Sequence, residues 1–289
     1  MVTVGRADVD DTVPNIVSRE IIKYTMPNLE MWKRINMRWG QNIEVGDRVS
    51  IPTFTTRPAA TQILTGIDGQ AGEPATQTAT YNDQTTGVAT VFVQQFFHVA
   101  IELSAYAEAV SAHNLESLFK TAGLDSLAVQ IDTTVMTLIT GFDVPAPRGT
   151  LGTAMTDDII LDGFSDLDGG DVPQKPRSYI FSHLELANYR KIEKYVSNLY
   201  RNATPVSSGD IGDLYGANWA WSTNVPTPGA GQHNNFLFHP DAIGGIMRRQ
   251  PKTAIAEMPD PGIIKRIVSW AVWGVNETRE SFGVEMRGV

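Results

Sequence analysis

The chain has 289 residues, 42% of them hydrophobic, a formal net charge of −9 and no cysteine. That length supports a real core in one large domain or two modest ones. The absence of cysteine excludes disulfides, thiolate zinc sites and a cysteine nucleophile, and the net charge argues against a protein that grips nucleic acid by neutralising phosphates, though not against one that merely encloses it.

Residues 1–45 read as an arm with one helix in it. Its start, Met1 to Asp11, is polar and acidic and lacks the basic-then-apolar pattern of a leader. Between Met26 and Trp39, apolar residues at Trp32, Ile35 and Trp39 would share one helical face, packed either on the core or on a neighbouring copy. Gly46-Asp47 marks a turn, and Arg48 to Phe54 reads as a strand. From Thr55 to Gly87 the apolar rhythm lapses into Thr, Ala, Gln and Gly, with Gly66, Gly69 and Gly72 spaced through it. From Val88 to Leu103 apolar residues alternate with polar ones, the mark of a long strand. Two strands around a Gly-rich middle make an extended hairpin. An isolated two-stranded ribbon is only marginally stable in water, so this one must lie on its own body or on another subunit.

Ala105 to Val110 reads as a short helix leading into the longest periodic stretch, Asn114 to Phe142. There Leu124, Leu127, Ala128, Ile131, Val135, Leu138, Ile139 and Phe142 fall at steps of three and four. Asn114 is the expected N-cap, Glu116 lies in the first turn, Gly141 is the stop signal and Gly123 is the weak point. Unbroken, such a helix is roughly 40 Å long. Residues 143–155 form a linker rich in Pro and Gly. A helix from Thr156 to Leu167 follows, N-capped by Thr156 and ended by Gly169-Gly170. Ser178 to Phe181 is a strand. Ser182 and Glu185 form a capping-box pair for a helix to about Leu199. Further strands are expected at Trp219 to Ser222 and Asn235 to Phe238. His239-Pro240-Asp241 is expected to cap a helix from Ala242 to about Arg249. Strands at Thr253–Ala256, Ile263–Val275 and Phe282–Met286 end the chain, and the whole reads as α+β.

Motifs of catalysis are missing. There is no phosphate-cradling G-x-x-x-x-G-K-[ST], no G-x-S-x-G and no H-E-x-x-H. The five His are scattered and read as structural. Asp166, Asp168 and Asp171 around Gly169-Gly170 echo a calcium loop without its full pattern and read as an acidic helix end. No catalytic residue, cofactor or metal is assigned, and no apolar run is long enough to span a bilayer.

The order of these pieces resembles the major capsid protein of tailed bacteriophages, the Hong Kong-phage-type fold. Val13 to Arg38 resembles its N-terminal arm and Gly46-Asp47-Arg48-Val49-Ser50-Ile51-Pro52 the entry to its extended loop, with Val88 to Leu103 as the returning strand. Tyr106 to Phe142 resembles the short helix and spine helix of its peripheral domain. Ser178 to Val196, then Gly209 to Ala217, resemble its axial domain, and Phe236 to Ile243 its strand-into-helix step. The resemblance implies an N-terminal arm at 1–45, an extended hairpin loop at 46–104, a peripheral domain with spine helix at 105–150, an axial domain at 151–252 and C-terminal strands returning to the peripheral domain at 253–289.

It also implies a structural, non-enzymatic subunit of an icosahedral virion shell, assembled in the host cytoplasm from hexamers and pentamers around double-stranded DNA. No sequence-specific DNA binding or membrane is involved, and scaffolding, portal and cement proteins would be separate. Inter-subunit contacts are expected at Trp32, Trp39, Arg57, Gly66, Gly69, Gly72 and Tyr81. Some members crosslink through a lysine on the extended loop, but Thr53 to Val99 contains no lysine, so that chemistry is not expected. Encapsulin nanocompartments share the fold and size and stand as the alternative, with a soluble α+β enzyme behind them.

Overall fold

The computed structural model describes residues 26–40, 46–54, 86–111, 114–197, 211–258 and 264–289. In chain order their elements are β1 (Arg48–Phe54), β2 (Thr86–Phe92), β3 (Gln95–Ser104), α1 (Ala105–Val110), α2 (Leu115–Met136), β4 (Arg148–Gly149), α3 (Asp157–Gly169), β5 (Arg177–Ser182), α4 (His183–Tyr189), α5 (Glu193–Val196), β6 (Ala217–Ser222), β7 (His233–Phe238), β8 (Ile243–Met258), β9 (Ile264–Glu277) and β10 (Gly283–Gly288). Among the described residues the strands form three sheets: the ribbon β1-β2, a three-stranded β3-β9-β8 and a five-stranded β4-β10-β7-β5-β6.

The long strand expected from Val88 to Leu103 is two strands with different partners. β2 runs antiparallel to β1, with Arg48 opposite Phe92. After a break at Val93-Gln94, β3 pairs with β9 along its length, from Gln95 opposite Trp273 to Ser104 opposite Ile264. The break has a local cause. The Val93 amide turns to the Asp47 carbonyl at 2.7 Å and closes the ribbon's root. Gly274 of β9 lets the Phe92 carbonyl approach so closely that a Cβ there would lie 2.1 Å from its oxygen. About half of the expected returning strand is therefore part of the chain's own sheet, and among the described residues β1-β2 is the two-stranded ribbon that remains.

α2 begins as its sequence indicates, with the Asn114 side chain accepting the Ser117 amide. The α-helix ends at Met136 and tightens into a 3-10 turn, Thr137–Gly141, instead of running on to Phe142. Gly123 does not split it. Its absent side chain seats the helix on β9, where a Cβ would fall 2.6 Å from Ser269 Oγ. Leu127 and Ile131 then pack on Ala271 and Trp273, and Phe97 stacks on Trp273 with centroids 5.2 Å apart.

The five-stranded sheet carries α3 and α4 over an aromatic core in which Tyr179, Phe181, Tyr189 and Trp219 are mutually in contact and Tyr195 meets Tyr189 and Trp219. Burying each such ring contributes about 1.5–3 kcal/mol before the entropy of ordering is counted. Thr156 caps α3, and Ser182 Oγ accepts the Glu185 amide at 3.1 Å to cap α4. The reciprocal half of the capping box does not form. The Ser182 amide donates to Asn235 Oδ1, and the Glu185 carboxylate accepts the Met155 and Val289 amides. The helix expected to reach Leu199 stops at Tyr189 and resumes only as the short α5, because Tyr189 and Tyr195 must both turn into the same core.

Two further expectations fail for the same kind of reason. Residues 26–39 form turns and a 3-10 segment rather than a helix, since their amides find partners elsewhere in the fold: those of Met31 and Trp32 donate to Asp132, and that of Asn36 to the Pro240 and Ile243 carbonyls. His239-Pro240-Asp241 opens only a 3-10 turn, and Ala242–Arg249 is not a helix. Ile243 starts the 16-residue β8, paired with β9 from Ile243 opposite Glu277. The division at residue 252 is not followed by the sheets either. β8 crosses it, and β10 lies in the five-stranded sheet beside β7 rather than returning to β3-β9-β8.

The acidic turn after α3 is structural. Asp166 forms a bidentate pair with Arg148, and Asp168 holds the buried Arg177 at 2.7 Å. At the other end of α3, Asp157 accepts from Tyr195 (2.6 Å), Tyr215 (2.5 Å) and Lys194 (2.6 Å). Burial alone would raise its pKa, but these three donors outweigh it and hold the carboxyl below its ordinary value. A depressed folded pKa contributes stability above the unfolded value, near 3.8, that is lost as pH falls through the folded one. Asp157→Asn is therefore expected to cost about 2 kcal/mol at pH 7, the scale of hydrogen bonds to a charged group. In urea titrations the gap from the parent chain closes on acidification; a gap independent of pH would contradict the assignment.

Candidate functional site

Among the described residues, the three-stranded sheet is covered on one face only. Odd-numbered residues of β9 (Ile267, Ser269, Ala271, Trp273) point to α2 and are buried. The register sends the even-numbered ones the other way. Phe96 lies opposite Val272, His98 opposite Trp270, Ala100 opposite Val268 and Glu102 opposite Arg266. On the far side, Arg249 is opposite Val272, Lys252 opposite Trp270 and Ala254 opposite Val268. The outer face is thus an apolar band, with Phe96 64% exposed and meeting Trp270 edge-on at 6.2 Å. Exposed Arg249 and Lys252 border it on β8, and a 2.7 Å Arg266–Glu102 pair closes one end.

A strand of an ordinary half-covered antiparallel sheet alternates apolar with polar residues. β9 does not, since Val268, Trp270 and Val272 interleave with Ile267, Ala271 and Trp273. It has the composition of a strand buried on both faces, and the described chain covers one. Beside this bare face stands the β1-β2 ribbon, with Val88 65% and Phe92 42% exposed. Both are features of a surface completed by something else.

Two clefts, of about 180 and 450 Å³, meet at Thr53, Thr278 and Arg279 below the ribbon. Arg279 there lies over the Phe282 ring at 4.8 Å. Among the described residues no three metal-ligating side chains converge, and no helix is long and apolar enough to cross a membrane. His239 is buried at the β7–β8 turn, where burial lowers its pKa and its Nδ1 accepts the Asp241 amide.

Of the residues expected at subunit contacts, Trp32 is partly buried and packs against the cores on both sides of α2. The Trp39 ring lies against Gly244, where a Cβ would fall 3.1 Å from it, and borders the smaller cleft. Arg57, Gly66, Gly69, Gly72 and Tyr81 lie outside the described residues. Sequence reasoning missed the outer face itself. Its signal was present in the stretch Ile267–Trp273, apolar at every position but Ser269, but which face would be left bare depends on where α2 sits.

No protein-family model and no curated protein matches the sequence. Solved structures do. A chain from Mycobacterium phage Che8 superposes with a TM-score of 0.77 at 17% identity, covering 95% of this chain and 96% of that one. The capsid structure of cyanophage P-SCSP1u gives 0.74 at 13% identity, over 97% and 94%. The mature capsid of bacteriophage PhiM1 gives 0.70 at 12%, over 96% and 92%. The chain has the tailed-phage capsid fold. The bare face is the side of the three-stranded sheet turned away from α2.

Proposed function

We propose that this chain is a tailed-phage major capsid protein, a structural subunit whose copies tile the icosahedral head as hexamers and pentamers around double-stranded DNA. The observation that carries the reading is β9, apolar on both faces and covered on one, next to a two-stranded ribbon with exposed apolar residues. A capsid fold matched along nearly its whole length in several phage structures supports it. In a shell, the ribbon of one copy lies across the bare sheet face of the next. The segment 55–85 carries Asp68, Glu73 and Asp83 against a single Arg57, which suits a face bordered by Arg249 and Lys252. Contact is then apolar at its centre and charge-matched at its rim, and the net charge of −9 keeps the shell from adhering to the DNA it holds. Trp32, Trp39, Gly66, Gly69, Gly72 and Tyr81 belong to this set of contacts in the same reading. So do the virion as location, assembly in the host cytoplasm, and separate scaffolding, portal and cement partners.

Electron microscopy of the purified chain tests it. Closed shells of uniform diameter are expected. A chain that stays monomeric under native conditions overturns the reading, and shells found with packaged enzyme instead of DNA would make it a nanocompartment.

A further inference from the structure

The segment 28–36 touches α2 and both larger sheets without being a strand of either. At one end Asn28 accepts the Ser222 hydroxyl at 2.8 Å and donates its amide to the Trp221 carbonyl at 2.9 Å, both at the end of β6. Arg34 reaches Ser178 of β5 and Asn218 of β6. At the other end Asn36 makes a parallel bridge to Gly244, accepts the Gly245 amide at 2.9 Å and bonds Asp241 through its side chain. Between these ends, Met31 is fully buried and Ile35 nearly so. They lie in the one core that combines Val135, Ile139 and Phe142 from α2 and its extension with Ile180, Phe236 and Phe238 from the five-stranded sheet.

One side chain positions the middle of this segment. Asp132, 1% exposed on α2, accepts the Met31 amide at 2.8 Å and the Trp32 amide at 3.3 Å through Oδ1, and Asn224 Nδ2 at 3.3 Å through Oδ2. A carboxylate facing the core of a helix is costly to bury, and this one is tolerated because all three donors converge on it. Those donors come from the segment and from the loop after β6. Asp132 therefore ties the segment, α2 and the loop after β6 at a single point.

We propose that residues 28–36 are a clasp across the seam between the two larger sheets, keyed by Asp132, and that undocking the clasp opens that seam while leaving each sheet folded. Each sheet keeps its own core away from the seam: Leu127, Ile131, Ala271 and Trp273 under α2, and the aromatic set around Tyr189 and Trp219. The seam core loses Met31 and Ile35 when the clasp leaves. The device lies within one chain, so its test is independent of whether copies form a shell. In a shell it would set the angle between the two sheets and so the subunit's curvature.

Hydrogen-exchange mass spectrometry on the full-length chain tests it. Asp132→Ala is expected to speed exchange in peptides spanning 28–36 and 240–246 by at least about tenfold, the scale of losing one charge-assisted hydrogen bond. Peptides spanning 157–189 stay at the parent rate. Asp132→Asn keeps an oxygen for Met31 and Trp32 and can donate to a rotated Asn224 carbonyl, so it is expected to resemble the parent. If Asp132→Ala does not yield soluble protein, Asn224→Ala is expected to give the same regional pattern at smaller amplitude. A rise spread evenly over all peptides, or none in 28–36 and 240–246, overturns the proposal.

Discussion

Trp270→Glu is expected to give a folded subunit that no longer assembles. Trp270 is at the centre of the bare face, flanked along its strand by Val268 and Val272 and met edge-on by Phe96. Its side chain points away from α2, so the change leaves Phe97, Leu127, Ile131 and Trp273 in place. Trp270 is only partly exposed and the change removes its contact with Phe96, so the melting curve of the variant should show a modest loss of about 1 kcal/mol. Between copies the effect is much larger. Removing a buried aromatic anchor costs about 2 kcal/mol or more at a contact, and a carboxylate buried without a partner adds its desolvation. That cost recurs at every contact of a shell. Sedimentation and electron microscopy should find monomers or small oligomers where the parent chain forms shells. Glu102→Gln, at the rim of the same face beside Arg266, should assemble normally. Shells of normal yield from Trp270→Glu would remove this face from the assembly contacts.

The largest expected effect on the fold itself is at Glu185. It is fully buried at the start of α4, where its carboxylate accepts the Met155 amide at 3.2 Å and the Val289 amide at 2.9 Å. Gly288 makes room for it, since a Cβ there would lie 2.2 Å from Glu185 Oε1. Glu185→Ala strands two buried donors and leaves a void, which together cost about 3–4 kcal/mol. Thermal melting should fall by on the order of 10 °C. Glu185→Gln retains the shape and one acceptor and should cost far less. Its deficit depends on pH in a definite direction. Burial raises the Glu185 pKa, against the lowering effect of the Val289 and Met155 amides and of Asn188. A raised folded pKa gives stability that is fully present below the unfolded value, near 4.5, and is lost as pH rises through the folded one. The parent chain therefore gains on the neutral Gln variant as pH falls, and the deficit of Glu185→Gln is larger in acid than at pH 7. A deficit that shrinks in acid would mean that the carboxylate is stabilised by its donors more than burial opposes it.

Several elements were legible before any coordinates because their signals are local. β1 and α1 run over the residues expected of them, and Asn114 and Thr156 cap the helices they precede. The misread elements share one feature, which is that their polar groups find partners far along the chain. Met31 and Trp32 look helical until Asp132, about a hundred residues away, takes their amides. Glu185 looks like half of a capping box until Met155 and Val289 claim its carboxylate. Ala242–Arg249 has apolar residues that suit a helix face, yet Gly244 and Gly245 have low helix propensity and β9 offers a full ladder.

The sequence by itself determined the class of the fold, the long helix α2 and its N-cap, the strand β1, and the apolar content of β9. Each follows from residues within a turn or a few pleats of one another. Only the tertiary structure decided that β3 leaves β2 to join β9, that β10 lies beside β7, and that one face of β9 is bare. The reason is geometric. Periodicity states which residues share a side of an element, while the side that meets a neighbour is set by a partner more than a hundred residues away. Here that partner is α2, held against β9 because Gly123 has no side chain to keep it off Ser269.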